Sequence, residues 1–420
     1  MTSVSSSRAD ASSLTLTGAI AHITGHALRP GLVGRIGIEL EAHVIDLAAP
    51  GRRVPWPTLQ AVVGGLPTLP GRSRVTLEPG GQIELSGPPM AGTEDAVHAL
   101  RADHAVLRAA LANAGLAPAL IGCDPLRPAD RINPADRYTA MEGHFAANGC
   151  ATAGAAMMAS TASLQVNLDA GPPSAWATRV ALAHQLGPVL VAISACSPLV
   201  GARVTGWQSS RQAVWGQLDQ SRCAPLKGRD DPAGEWARYA LAAPVMCVRN
   251  YATGRIEAVH GRIPFCDWVS GAATLADRRP NVDDLDYHLT TLFPPVRLRG
   301  YLEIRYLDAA PEPWWPALTA VTAALLDDPA ASERAAAASS PVADAWQRAA
   351  HVGLADPRLH AAARACLDAA LDAVPAALHA EVAALAALVD GGSSPGDDLL
   401  HTARNGGPTA VLLAATEVPS

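Results

Sequence analysis

Within Val296–Leu307 (VRLRGYLEIRYL) the chemically capable side chains fall on alternate positions. Arg297, Arg299, Tyr301, Glu303 and Arg305 take the odd places, while Val296, Leu298, Gly300, Leu302 and Ile304 take the even ones. A strand turns successive side chains to opposite faces, so read as one strand the segment has an apolar back and a front of guanidiniums, a carboxylate and a phenol. A solvated outer face is one reading; because such a face ordinarily mixes Thr, Lys, Gln and Ser, a ligand-facing surface is the other.

Three more segments repeat the arrangement. Arg35–Ile45 (RIGIELEAHVI) sets Glu39, Glu41 and His43 opposite Ile36, Ile38, Leu40 and Val44. In Leu77–Leu85 (LEPGGQIEL), Glu78 precedes a Pro79-Gly80-Gly81 turn, after which Gln82 and Glu84 share a face. Ser163–Asp169 (SLQVNLD) sets Gln165, Asn167 and Asp169 against Leu164, Val166 and Leu168. Four half-buried strands of this kind imply one sheet with an acidic, ligand-binding side. Oxygen donors at such density suit Mg²⁺, a hard cation that takes carboxylate, water and phosphate oxygens.

Those strands need supports. Helical spacing is read at Leu14–Leu28, Thr93–Ala114, Gly143–Met158 and Ala175–Ser194, then in Ala-rich segments Trp314–Leu326, Ser332–Val352 and Asp356–Leu388. Strands and helices alternate without the regular spacing of parallel units, so the expected class is α+β. Residues 1–13 are polar and Ser-rich and are expected to be a flexible N-terminus; 14–420 reads as a single catalytic domain, with outer Ala-rich helices at about 314–390.

Composition excludes several alternatives. The net charge is −7 with no basic run, which argues against nucleic acid as a partner. Lys227 is the one lysine, and no Walker-type glycine loop precedes it, so bound phosphates would be neutralised by arginine and metal. The seven cysteines lack any C-x-x-C spacing, which fits a reducing cytoplasm. Val180–Ala202 carries no formal charge, yet its Pro188, Pro198 and polar groups read as a buried helix and turn, not a membrane span. The run Gly392–Gly396 (GSSPG) matches the nucleophile-elbow pattern but follows no strand, and His43 reads as a core or supporting residue.

Longer motifs carry a resemblance. GIELE (Gly37–Glu41), LEPGGQIELSG (Leu77–Gly87), RYTAM (Arg137–Met141), LQVNLD (Leu164–Asp169), SRQAVWGQLDQSR (Ser210–Arg222) and LTTLFPPVRLRGYLEIRYLD (Leu289–Asp308) resemble glutamate–cysteine ligases of the branch shared by plants and some bacteria. The resemblance implies a glutamine-synthetase-like carboxylate–amine ligase fold: a curved, mostly antiparallel sheet with a polar concave face. It implies ATP as co-substrate and Mg²⁺ held by Glu39, Glu41, Glu78, Glu84, Gln165 and Glu303. In this reading Arg305 meets the transferring phosphoryl group and Arg211 and Tyr138 hold L-glutamate or L-cysteine. Arg297 and Arg299 either assist binding or form structural ion pairs. The implied product is γ-glutamylcysteine, formed with ADP and phosphate through a γ-glutamyl phosphate and feeding ergothioneine synthesis, without an obligate protein partner. A ligase for another small amine and a non-catalytic nucleotide or glutamate sensor are the alternatives. Water competes with the amine, so loops are expected to close over the intermediate, with Tyr138–His144 and the segment after Trp207 as lids.

Overall fold

The computed structural model describes residues 13–226, 230–251 and 253–416. Residues 1–12 of the expected flexible terminus, and Lys227, lie outside the described residues.

The acidic segments do join one sheet, of seven strands. Strand β1 (Ile36–Asp46) is its long axis, and β2 (Arg74–Leu77), β3 (Ile83–Ser86), β4 (Leu116–Ala119) and β5 (Ser163–Asp169) follow in the chain, with β6 (Val296–Leu298) and β7 (Tyr301–Asp308) last. The order is β6-β7-β5-β1-β3-β2, with β4 on the far half of β1, and every pairing is antiparallel. This confirms the α+β class. Cross-strand register gathers the polar residues into rows: Arg297 opposite Glu303, Glu303 opposite Asn167, Glu39 opposite Gln165, and Glu41 opposite Glu84.

The back of the sheet is the main core. Ile36, Ile38, Leu40, Ile83, Leu85, Leu164, Val166, Leu168, Leu302 and Ile304 are all buried there, against helices Thr93–Asn113, Gly187–Ser194 and Trp314–Asp327. A second apolar cluster roofs the polar front. Met141, Phe145 and Met158 form it with Leu218, Cys223 and Met246, and Tyr138, Trp215 and Phe293 pack at its edge. The ligand-facing residues therefore lie between two hydrophobic layers.

Several sequence expectations need correction. Val296–Leu307 is a hairpin and not one strand, because Gly300 (φ +81°) turns the chain between β6 and β7. The pairing Val296–Ile304 keeps odd residues on one face, so the alternation survives the turn. Gly143–Met158 is two helices, Asp136–Ala147 and Ala151–Ser160, separated at Asn148-Gly149, where Gly149 is left-handed. Ala175–Ser194 likewise divides into Trp176–Gln185 and Gly187–Ser194 ahead of Pro188. Ser332–Val352 breaks around Pro341, and Asp356–Leu388 breaks around Pro375. Tyr138–His144 is no loop lid: it lies in helix Asp136–Ala147 with Met141 and His144 buried, and so belongs to the packed roof. Ser394 of the GSSPG run caps helix Pro395–Ala414 by a capping box with Asp397, which accounts for its conformation without catalysis. His43 is fully buried behind the site, near Asp124 and Arg127, and burial lowers its pKa to about 4, so it is a neutral core residue.

Candidate active site

The hairpin between β2 and β3 sets Glu78 in place. Gly81 N donates to Glu78 O and Glu78 N to Gln82 O, closing the turn. A Cβ on Gly80 would lie 2.4 Å from Ala159 O, so only glycine lets the turn press against helix Ala151–Ser160. Arg53 Nη1 donates to Gly80 O at 3.0 Å, holding the turn from outside.

Glu39, Glu41, Glu78 and Glu84 then converge on a cleft of about 330 Å³, together with Gln165, Tyr138, Arg211, Arg297, Arg299 and Arg305. Glu41 accepts from Ser163 N at 2.6 Å, Glu39 from Asn167 Nδ2 at 3.1 Å, and Glu84 from Thr76 Oγ1 at 2.9 Å and Ser86 Oγ at 2.8 Å. Burial pushes all four carboxyls above their ordinary range. The nearby charges of Glu84 and Glu41 raise Glu78 further, Glu41 raises Glu84, and Glu303 and Glu84 raise Glu39. Arg305 is the cation whose charge opposes that rise at all four. Arg211 adds to it at Glu41 and Arg137 at Glu78, and divalent cations would supply further compensation to this crowded acidic face. The all-oxygen donor set suits Mg²⁺. Among the described residues, no group of three or more His, Cys, Asp or Glu side chains stands close enough together to hold a metal ion without rearrangement.

Glu303 departs from the expected pattern. It is fully buried and does not line the cleft, because three arginines occupy its carboxylate. Arg297 approaches with Nε at 2.5 Å and Nη2 at 3.0 Å, Arg299 with Nη1 at 3.0 Å and Arg305 with Nη1 at 3.0 Å. Burial alone would raise its pKa, yet Arg297, Arg305 and Arg299 hold it well below the usual carboxylate range. Arg297 and Arg299 thus form the ion pairs that were one of their two expected roles. Gln165 is also engaged: its Oε1 accepts from Arg305 at 2.7 Å, while its Nε2 donates to Glu41 at 3.4 Å and Ser163 Oγ at 3.3 Å. As it stands, Gln165 braces Arg305 against β1.

Arg211 is buried where the acidic cleft meets a second pocket of about 530 Å³, which Trp207, Trp215, Phe293 and Trp346 line. Tyr138 reaches the opposite wall, and burial with the nearby Glu78 pushes its phenol pKa well up, so it stays a neutral donor. Sequence reasoning missed two residues. Arg137, beside Tyr138, lines the cleft and donates to Thr290 O and Oγ1 at 3.0 Å each; its place in RYTAM was the available signal. Asp308 had no such signal, since an even position on the 296–307 alternation reads as core.

The charge crowding predicts a stability result. A carboxyl whose folded pKa is raised destabilises the metal-free protein progressively as pH climbs from its unfolded pKa toward the folded one. Glu78→Gln removes that penalty, so the melting temperature in EDTA at pH 8 should rise, on the order of 2 °C. The further rise on adding millimolar Mg²⁺ should shrink. Calorimetry with and without the ion checks both signs.

An antiparallel sheet with oxygen donors and arginines on one face, roofed by helices, is the frame of a carboxylate–amine ligase, and the comparisons agree. Residues 35–413 match the model of glutamate–cysteine ligase family 2 (GCS2), and the chain belongs to that family. It is 55% identical over 382 residues to the glutamate–cysteine ligase EgtA of Mycolicibacterium smegmatis, covering 90% of each chain. It is 50% identical to the EgtA of Mycobacterium tuberculosis, covering 92% of this chain and 90% of that one. The chloroplastic glutamate–cysteine ligase of Arabidopsis thaliana is 29% identical over 60% of this chain and 48% of its own. Among solved structures, a Francisella tularensis glutamate–cysteine ligase bound to AMP superposes with a TM-score of 0.58 at 13% identity, covering 92% of this chain and 88% of that one, which supports the fold. No helix among the described residues is long and apolar enough to cross a membrane.

Proposed function

We propose that the chain joins the γ-carboxylate of L-glutamate to the amine of L-cysteine at the expense of ATP, giving γ-glutamylcysteine, ADP and phosphate. The observation that carries this reading is the cleft itself, where four crowded, largely buried carboxyl groups share one sheet face with Arg297, Arg299 and Arg305. Supply of ergothioneine synthesis follows from the likeness to the EgtA ligases. Residues 14–420 are read as one catalytic unit, and the cytoplasm as its compartment, in keeping with seven unpaired cysteines.

A carboxylate does not acylate an amine at neutral pH, so the γ-carboxylate must first accept a phosphoryl group. Phosphoryl transfer gains mainly from alignment and from neutralising spread charge. Glu39, Glu41, Glu78 and Glu84 would hold Mg²⁺, which would supply neutralisation of the phosphate charge. Arg297, Arg299 and Arg305 would take phosphate oxygens, with Glu303 aligning the three guanidiniums and Gln165 holding Arg305. Arg305 would meet the transferring phosphoryl, a reading supported by its position between Gln165 and Glu303. Arg211 and Tyr138 would orient the amino acids on the roof side, and the apolar roof limits hydrolysis of the acyl phosphate by excluding water.

The test is an ADP-release assay with ATP, Mg²⁺, glutamate and cysteine, each omitted in turn, with the product identified by mass. Full turnover without cysteine, or with ammonia or an alkylamine in its place at equal kcat/KM, would move the acceptor assignment to another amine. Nucleotide binding with no turnover on any amine would leave the sensor reading.

A further inference from the structure

Asp308 closes β7, and the pairing of β7 with β5 shifts by one residue between Ile304 and Leu307. Before the shift Glu303 lies opposite Asn167; after it Asp308 lies opposite Ser163. The bulge at Arg305-Tyr306 thereby reverses the alternation and brings an even-numbered carboxylate onto the front of the sheet. Asp308 is fully buried there and lines neither pocket.

Its oxygens are aimed by three donors. Oδ2 accepts from Cys196 N at 3.0 Å and Ser197 Oγ at 2.6 Å, and Oδ1 accepts from Ser209 Oγ at 2.9 Å. A Cβ on Gly122 would fall 2.6 Å from Asp308 Cγ, so glycine is needed to seat the carboxylate. The same two serines start the helix Ser210–Gly216. Ser209 Oγ accepts from Gln212 N, and Ser197 Oγ accepts from Arg211 N, each at 3.2 Å. Arg211 is tied again at its far end, where Nη2 donates to Arg305 O at 2.7 Å. Its Nη1 stands 3.9 Å from Asp308 Oδ1, buried and without a hydrogen bond.

We propose that Asp308 is a positioning residue that acts through Arg211, holding the guanidinium so that its edge toward the pockets receives the carboxylate of an amino-acid substrate between the acidic cleft and the aromatic pocket. The two serines make the device rigid, since each bonds both the carboxylate and the helix that carries the arginine. An anion entering from the pocket meets a guanidinium whose other end is already fixed, so little ordering remains at binding. The inference rests on the ligase reading above and names the residue behind its amino-acid site.

Asp308→Asn is the direct test, because the amide can accept from Cys196 and Ser197 and donate to Ser209 without a change of shape. The expected result is a roughly tenfold rise in KM for one of the two amino acids, with KM for ATP within about twofold and the melting temperature kept. In an Arg211→Ala background the same substitution should add nothing further. Additive effects, an equal rise in all three KM values, or an unchanged amino-acid KM would each overturn the proposal. If the Asn variant does not accumulate folded, Ser197→Ala carries the test. A rise of about threefold or more in that KM is expected, and a value within that limit overturns the proposal. A wild-type enzyme that forms no γ-glutamylcysteine sinks the functional reading; an active wild type with an indifferent Asp308 sinks only this inference.

Discussion

Glu303→Gln is expected to lower kcat by roughly a thousandfold and to destabilise the protein at the same time. The two losses have one origin. Glu303 compensates Arg297, Arg299 and Arg305 together, from a fully buried position, and the neutral amide leaves three guanidiniums facing one another. Removing one member of a buried ionic group costs about 3–5 kcal/mol, since the remaining charges stay desolvated. The half-exposed Arg299 regains water and reduces that figure toward its lower end. Activity falls because the arginines lose the anion that aligns them. Thermal melting and steady-state turnover at saturating Mg²⁺ check the pair of effects. Near-wild-type turnover would remove Glu303 from the catalytic apparatus, and an unchanged melting temperature would contradict the ionic arrangement.

Arg305→Ala should cut the rate of ADP formation in a single turnover by roughly 10²–10³, while the apparent affinity for glutamate changes less than about fivefold. Arg305 is held by Glu303 and by Gln165 Oε1, and its charge is the one felt by Glu39, Glu41, Glu78 and Glu84 alike. Losing it removes charge neutralisation at the phosphoryl group and leaves the carboxylates more repelled. Rapid-quench measurement of ADP against glutamate concentration separates the two effects. A variant with a normal saturated rate and only weakened glutamate binding would assign Arg305 to substrate holding.

The site was legible in the sequence where polar and apolar residues alternate along strands. Register then carried Glu39, Glu41, Glu84 and Gln165 to one face, and the turn at Gly80 brought Glu78 to the same cleft. Alternation does not tell a strand from a hairpin of matching parity, which is why Gly300 passed as a strand residue. It also fails at a bulge, which has no period, so the alternation gave no sign that Asp308 faces the front. Nor does it reveal which partner an acidic side chain has taken: Glu303 and Glu41 look alike in one dimension, yet one is clamped by guanidiniums and the other lines the cleft. The long helical readings erred at Pro188, Pro341 and Pro375, where apolar spacing ran on but the backbone lost a donor.

The claim on which the account depends is that the acidic side of the sheet binds divalent ions that carry the nucleotide. Water-proton relaxation titrations with Mn²⁺ in place of Mg²⁺, with and without a non-hydrolysable ATP analogue, test it directly. The wild type should bind Mn²⁺ tightly with the analogue present, and Glu41→Gln/Glu84→Gln should weaken that binding at least about tenfold while remaining folded. Unaltered Mn²⁺ affinity in the double variant would contradict the account.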